Sequence, residues 1–349
     1  MKEQLDEVVG LPRAPVDRWL RSAVGARFDL AGWYAEPISG GLSNLTYRLR
    51  FQDQSVILRR PPLGGVLPSA HDMHREWTLL VALHPTRVPV PEPLALCSDN
   101  SVLGGTFYVM SDVAGTVLRT HEDTGALAMP QRQWLSTALV NALSDLHALV
   151  PDDVGLGDFG RPNGFNERQV RRWRQQWQQS SRQELPDMDA LFTKLGEQIP
   201  ATSDVAIVHG DYRLDNMILD LGPRDPHINA IVDWELSTLG DPLADLGLAL
   251  TYWHDLDDQE RALIPVALGV TAHPGFMSAA DIAEHYSTVS GRNLDNLSFY
   301  VAMGAMKLAV ILAGVDARFT DGHMAQRSSL GLDEAVRVLV ARGLRQLAT

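Results

Sequence analysis

Cysteine is almost absent: Cys97 is the one thiol in 349 residues. That excludes an intrachain disulfide and a cysteine-built zinc site, and it fits a reducing compartment. Lysine is nearly as scarce, with Lys2, Lys194 and Lys307 standing against 27 arginines. No Gly-Lys pair occurs, so a Walker phosphate loop is excluded, and the HExxH and G-x-S-x-G signatures are missing as well. Met1 to Leu11 carries three acids and no apolar run, which argues against a secretory signal and an acid-poor transit peptide. The longest apolar stretch, Phe299 to Val315, is interrupted by Lys307 and is shorter than a typical membrane span. A buried helix and a cytosolic, membrane-free protein are expected.

Positive charge is also in deficit. The net charge is −13; residues 1 to 200 hold 23 acids and 20 bases, whereas 201 to 349 hold 20 acids and 10 bases. Sequence-independent binding to nucleic acid or to an anionic membrane is therefore disfavoured. The acidic C-terminal part suits a cationic substrate, and acids that ligand a metal would give the same count. Nothing in the composition speaks to oligomeric state.

What is present describes a globular chain of about two average domains, 45% hydrophobic and 21% charged, without repeats or low-complexity segments. Asp17 to Val24 reads as a short helix. Ile38 to Arg50 then reads as strand, Gly-rich turn and strand, with Leu45, Tyr47 and Leu49 alternating. A third strand spans Ser55 to Arg59. The capping-box-like Ser69-Ala-His-Asp72 leads a helix to about Leu83 with Trp77, Leu80 and Val81 on one face. Strands at Pro93 to Ser98 and Thr106 to Asp112 flank Gly104-Gly105. After Gly115 the pattern is mainly helical, apart from a hairpin-like pair near Met217 to Leu221 and Ile228 to Val232. The result is a small sheet-rich lobe, residues 1–113, and a large helical one, 114–349.

Two patterns imitate sites. Gly155-Leu-Gly-Asp-Phe-Gly160 matches G-x-G-x-x-G, but a helical pattern and Pro151-Asp-Asp precede it where a dinucleotide fold needs a strand. It reads as a loop. His71, His74 and Glu76 mimic a metal cluster, yet no further ligand spacing supports one and an ordinary helix start explains them.

The informative run is Ile207-Val-His209-Gly-Asp211-Tyr-Arg213-Leu-Asp-Asn216, followed by Ile231-Val-Asp233-Trp-Glu235. An apolar strand delivers His209 and Asp211 into a loop, and Asn216 follows at the Asp-x-x-x-x-Asn spacing of a kinase catalytic loop. Asp233 closes a second buried strand, where a carboxylate is costly unless paired or bound to a cation. Phosphoryl transfer needs this set together: a base near an acceptor hydroxyl, and an amide oxygen plus a carboxylate for Mg²⁺.

These residues resemble the signature of the aminoglycoside phosphotransferase and choline kinase superfamily. The run from Ile231 to Gly247, together with Arg168-Gln-Val-Arg-Arg-Trp173, is similar to the phosphotransferase domain fused to some acyl-CoA dehydrogenases and to its free-standing bacterial relatives. The resemblance covers about residues 30 to 325. It implies an α+β, two-lobed protein-kinase-like fold, with a small antiparallel-sheet nucleotide-binding N-lobe bearing one main helix and a larger, mostly helical catalytic C-lobe. ATP and Mg²⁺ are the implied cofactors and a small-molecule hydroxyl compound the implied partner.

By the same resemblance Asp211 is the base or substrate-orienting carboxylate, and Asn216 and Asp233 are metal ligands. Glu235 assists a second metal or is a surface acid. Arg213 stands where protein kinases often carry a lysine near the γ-phosphate, or it makes a salt bridge within the helical lobe. Asp241 and Asp245 brace the loop. Gly40, Gly41 and Ser43 form the phosphate-covering turn, Arg59 replaces the usual lysine with Glu76 as its partner, and Ser111 and Val113 meet the adenine edge. The replacement is not neutral, because a planar fork is not a point charge. Trp173 and Trp177 lie on one face of the basic helix Arg168 to Arg182, which either packs its tryptophans and solvates its arginines or meets an acidic substrate. Lys307 and Arg318 are candidates to line that same pocket. The expected activity is Mg-ATP-dependent phosphorylation of a hydroxyacyl-CoA or related metabolite. An aminoglycoside kinase and a catalytically silent nucleotide-binding protein are the alternatives.

Overall fold

The structure, a computed structural model, describes residues 9–38, 44–52, 54–63, 72–180, 184–201, 204–222, 226–267, 269–320 and 331–348, without the side chains of 318–320. The chain divides into two compact units, Met1–Gly115 with Asn229–Glu235, and Thr116–Ile228 with Leu236–Thr349. The fold class is α+β, as the sequence suggests. A single cut at 113/114 does not contain the return of residues 229–235 to the first unit.

The first unit runs α1 (Arg13–Ala23), β1 (Tyr34–Pro37), β2 (Leu45–Phe51), β3 (Gln54–Arg60), α2 (Met73–Leu83), β4 (Pro93–Cys97), the single turn α3 (Asn100–Leu103) and β5 (Phe107–Ser111). Its five strands form one antiparallel sheet in the order β1-β2-β3-β5-β4. Strand alternation decides what each face does. Tyr47, Leu49, Phe51, Val56, Leu58, Phe107 and Val109 pack against Val16 and Leu20 of α1 in one core. Ile57 and Arg59 lie opposite Met110 and Tyr108 in the β3–β5 register, on the other face of the sheet. Helix α2 packs along β4 and β5.

Two helices differ from expectation. Helix α1 begins at Arg13 because Pro15 sits in its first turn, where the missing N–H has no intrahelical partner. Helix α2 is capped by Asp72, which accepts from the His74 and Arg75 amides; it buries Met73, Glu76, Leu79, Leu80 and Leu83, while Val81 is exposed.

The second unit contains α4 (His121–Gly125), α5 (Met129–His147), α6 (Phe165–Ser180), α7 (Pro186–Glu197), β6 (Ala206–Val208), β7 (Met217–Asp220), β8 (His227–Ile231), β9 (Thr238–Gly240), α8 (Pro242–Tyr252), α9 (Ala279–Ser290), α10 (Leu297–Thr320) and α11 (Leu332–Gln346). The chain passes from one unit to the other within β8. Strands β6 and β9 pair antiparallel, a ladder that the sequence reading did not include. The Gly155–Gly160 segment is a loop following a 3-10 turn, with Gly155 left-handed. Helix α6 buries Trp173 and Trp177 and exposes Arg171, Arg172 and Arg174.

Helix α10 is longer than the sequence reading allowed: its segment Leu297–Ala317 has the length and apolarity of a membrane span, and 67% of its most apolar window is buried inside the protein. It packs against α8 and α11. The α8 contact is unusually close. A Cβ on Gly247 would lie 2.4 Å from the Tyr300 carbonyl carbon, and one on Gly304 would lie 2.7 Å from Thr251 Oγ1.

Glycine is therefore required at 247 by backbone contact, whatever its cost to helix propensity. Gly247→Ala is expected to destabilise by roughly 1–3 kcal/mol or more through overpacking. In Gly196→Ala, where the new methyl meets nothing within 4 Å, a gain of up to about 1 kcal/mol is expected. Urea denaturation of the two variants beside wild type checks both signs.

Candidate functional site

In the second unit, the fully buried strand β6 ends at Val208, and His209 releases the chain into a turn that only glycine can make. Gly210 has φ +84°, and a Cβ there would lie 2.7 Å from the Leu236 carbonyl oxygen. Two adjacent backbone amides, His209 N and Gly210 N, donate to the two oxygens of Asp245 at 2.6 and 2.7 Å. Asp245 also meets His147 Nε2 at 3.3 Å, and the other nitrogen of that ring is 2.8 Å from the Tyr286 hydroxyl. Burial alone would raise the Asp245 pKa; the His147 hydrogen bond and the Gly210 amide outweigh it and hold the carboxyl below its usual range. Burial lowers the pKa of His147 itself. Asp241 caps α8 through the Leu243 amide and accepts from the Tyr300 hydroxyl at 2.6 Å.

This clamp presents Asp211. Its amide donates to His209 Nδ1 at 3.2 Å, and its Oδ1 accepts from the Tyr252 hydroxyl at 2.7 Å. Asn216 Nδ2 donates to the Asp211 carbonyl at 2.8 Å and to Oδ2 at 3.2 Å. That commits the amide nitrogen and makes the Asn216 oxygen the atom available to a cation. Arg213 Nε lies 3.5 Å from Asp211 and 2.8 Å from Asp215, with its guanidinium 5.1 Å from the Tyr252 ring centroid. Burial pushes the Asp211 pKa up, but Arg213, Lys307 and the Tyr252 hydroxyl outweigh it, so the carboxylate is held ionised below its ordinary value. Lys307 donates to the Gly210 carbonyl. Beside this turn opens a pocket with apolar walls including Phe165, Trp173, Leu248 and Met303, and with the cations Arg172 and Lys307.

A separate cluster lies in the first unit. Arg59 pairs with Asp233 at 2.6 Å, Glu76 at 3.1 Å and Glu235 at 3.6 Å. Asn44 Nδ2 bridges Glu76 at 3.3 Å and Glu235 at 2.9 Å, and the Tyr108 hydroxyl donates to Glu76 at 2.7 Å. Burial disfavours the Arg59 charge, yet Glu76, Tyr108 and Asp233 more than compensate and keep its pKa above the ordinary value. Three carboxylates share one guanidinium. Glu76 feels the deficit: burial, with Asp233 and Glu235 nearby, pushes it up to about 6 against the pull of Arg59. The donors are hard oxygens of the kind Mg²⁺ takes, but here Arg59 holds them together, and among the described residues no group of three acids, histidines or cysteines is arranged to hold a metal ion. Asp233 does not close a strand. It lies two residues beyond β8 at φ +67°, a strained conformation for a non-glycine residue, in a turn tied by Trp234 Nε1 to the Ile231 carbonyl at 2.9 Å.

The expected residues thus fall into two groups: Arg59, Glu76, Asp233 and Glu235 in one unit, and Asp211, Arg213 and Asn216 in the other. Ser111 ends β5, its amide donating to the Glu92 carbonyl, and Val113 follows it. Gly40, Gly41 and Ser43 lie outside the described residues. Tyr108 and Tyr252 were not singled out from the sequence, and Asn44 falls inside the Ile38 to Arg50 strand, turn and strand. A tyrosine that holds a carboxylate from another element leaves no spacing signal.

Residues 35–279 match the phosphotransferase enzyme family. Acyl-CoA dehydrogenase family member 11 of Gallus gallus is 34% identical over 310 residues, covering 88% of this chain and 39% of the relative. A solved protein of Ralstonia eutropha JMP134 assigned to the aminoglycoside phosphotransferases is 31% identical, with a TM-score of 0.78 over 96% of this chain and 97% of that one. An ADP-bound aminoglycoside phosphotransferase shares the fold at 13% identity and a TM-score of 0.56, over 94% of this chain and 97% of that one. The chain belongs to the phosphotransferase enzyme family. It spans about two fifths of the length of the acyl-CoA dehydrogenase relatives it matches.

The clamp makes stability acid-sensitive in a defined direction. Because the folded pKa of His147 is depressed, the unfolded chain binds a proton that the folded chain resists once the pH falls below about 6.5. Asp245, held low as an anion, adds its loss at more acidic pH. Tm is expected to be flat from pH 8 to 7 and to fall progressively below about 6.5; in His147→Gln the slope between pH 7 and 5 should shrink. An unchanged slope in that variant would show that other groups carry the dependence.

Proposed function

We propose that the protein is a small-molecule kinase that moves the γ-phosphoryl group of Mg-ATP to a hydroxyl of its acceptor. The observation that carries this reading is Asp211, an ionised carboxylate held on one side by Tyr252 and on the other by Asn216, at the spacing of a kinase catalytic loop.

Each residue then has a task. Asp211 accepts a hydrogen bond from the acceptor hydroxyl, orients its oxygen for attack and receives its proton as the new O–P bond forms and the bond between the γ-phosphorus and the β-phosphate oxygen breaks, with ADP leaving. Arg213 keeps Asp211 ionised and supplies positive charge near the transferring group. Asn216 and Asp233, with Glu235, would hold Mg²⁺, which would supply neutralising charge to the phosphates. Arg59, seated by Glu76 and Tyr108, contacts the α- and β-phosphates as a two-pronged donor. Gly40, Gly41 and Ser43 cover the phosphates, and Ser111 and Val113 hydrogen-bond the adenine edge.

For the acceptor, the similarity to acyl-CoA dehydrogenase family members favours a hydroxyacyl-CoA or a related metabolite. The second reading, an aminoglycoside acceptor, draws on the Ralstonia relative and on the acidity of residues 201 to 349.

Untargeted mass spectrometry of a metabolite extract incubated with Mg-ATP and enzyme tests the proposal, with Asp211→Ala as matched control. A species that gains one phosphoryl group only with wild type is the expected result. Asp211→Ala should lower kcat by roughly 10² or more with nucleotide binding retained, whereas Asp233→Asn should abolish productive Mg-nucleotide binding. Wild-type activity in Asp211→Ala would remove the base from the scheme. Conferred resistance to kanamycin in a sensitive host would favour the aminoglycoside reading.

A further inference from the structure

Lys307 is the only lysine within a long apolar helix, and from residue 302 to 313 its neighbours on α10 are almost all buried aliphatic, methionine or glycine residues. Burial lowers its pKa, while Asp211 and Asp245 favour its charge. An ammonium has three N–H donors. Among the described residues Lys307 donates to one acceptor, the Gly210 carbonyl, and lies 5.7 Å from the centroid of the Trp173 ring.

A structural pin for Gly210 accounts for one donor and not for the charge. A serine or glutamine would satisfy a carbonyl without the cost of desolvating a cation. The composition of the pocket gives the charge a further use. Arg172 lines the same cavity, with its guanidinium 5.9 Å from the Trp173 centroid. Asp245, the acid among the lining residues, already receives hydrogen bonds from the His209 and Gly210 amides and meets His147. The cavity therefore offers two cations, one of them with unspent donors, against apolar walls of Phe165, Trp173 and Met303.

Resting on the phosphotransferase reading, we propose that Lys307, assisted by Arg172, binds an anionic oxygen group of the acceptor. The acceptor class is an alcohol that carries a carboxylate or a phosphate on an apolar skeleton. Lys307 thereby selects against polycations and couples acceptor binding to the turn that carries Asp211, since the same ammonium holds the carbonyl of the preceding residue.

Isothermal titration of the full chain without nucleotide tests this with four probes: 3-hydroxybutyrate, glycerol 3-phosphate, 1,3-butanediol and kanamycin. At least one anionic probe should bind tenfold or more tightly than 1,3-butanediol, and which one does distinguishes a carboxylate from a phosphate. Lys307→Met should cost that preference tenfold or more, Lys307→Arg should recover part of it, and Arg172→Gln, at an exposed position, should weaken it in a folded protein. Equal or absent binding of the anionic probes, tightest binding of kanamycin, or an anion preference unchanged in both Lys307→Met and Arg172→Gln would overturn the assignment. Asp211-dependent phosphoryl transfer is measured separately. Transfer without anion selectivity removes the Lys307 site alone, and anion selectivity without transfer removes the kinase reading alone.

Discussion

One buried carboxylate, Asp245, carries the turn on which the rest of the second unit's polar chemistry hangs. It takes two consecutive backbone amides that no strand can satisfy, because Gly210 turns the chain away at positive φ. A buried anion is tolerable only when hydrogen bonds meet its charge, and here His147 adds a third contact from α5. Three elements distant in sequence, α5, α8 and the turn after β6, are locked by a single group. The orientation of Asp211 is thus set by the core beneath its loop.

The first unit solves a different electrostatic problem. Glu76, Asp233 and Glu235 converge on Arg59, and a guanidinium is the side chain best able to meet more than one carboxylate, since its donors are spread in a plane. A lysine would offer one ammonium to the same three acids. Arginine at this position therefore serves the packing of its own acidic cluster.

The residues of the turn after β6 were legible because their spacing is local: His209, Asp211 and Asn216 lie within eight residues, and the strand before them is uniformly apolar. The alternation of β2 was equally plain. Helix α2 shows where such reasoning ends. Hydrophobic pattern put Val81 on its buried face, whereas the position that is buried is Glu76, made acceptable by Arg59 and Tyr108. A charge that is buried by pairing has no signature in a pattern of apolarity. For the same reason Tyr252, forty-one residues from Asp211, and the β6–β9 ladder emerged only from tertiary structure, and Asp233 was read as part of a strand when its φ is left-handed.

The return of residues 229–235 to the first unit has a consequence for how the chain acquires its structure. Arg59 and Glu76 are synthesised early, but the partners at 233 and 235 leave the ribosome some 170 residues later. Until then the first sheet can form its ladders while its charged cluster stays incomplete, and the intervening chain must be closed into a long loop whose entropy is lost before the pairing is gained. The last step in assembling the first unit consequently waits for a segment made long after its sheet, and that step is ionic: the piece that arrives late brings two carboxylates to a guanidinium already in place.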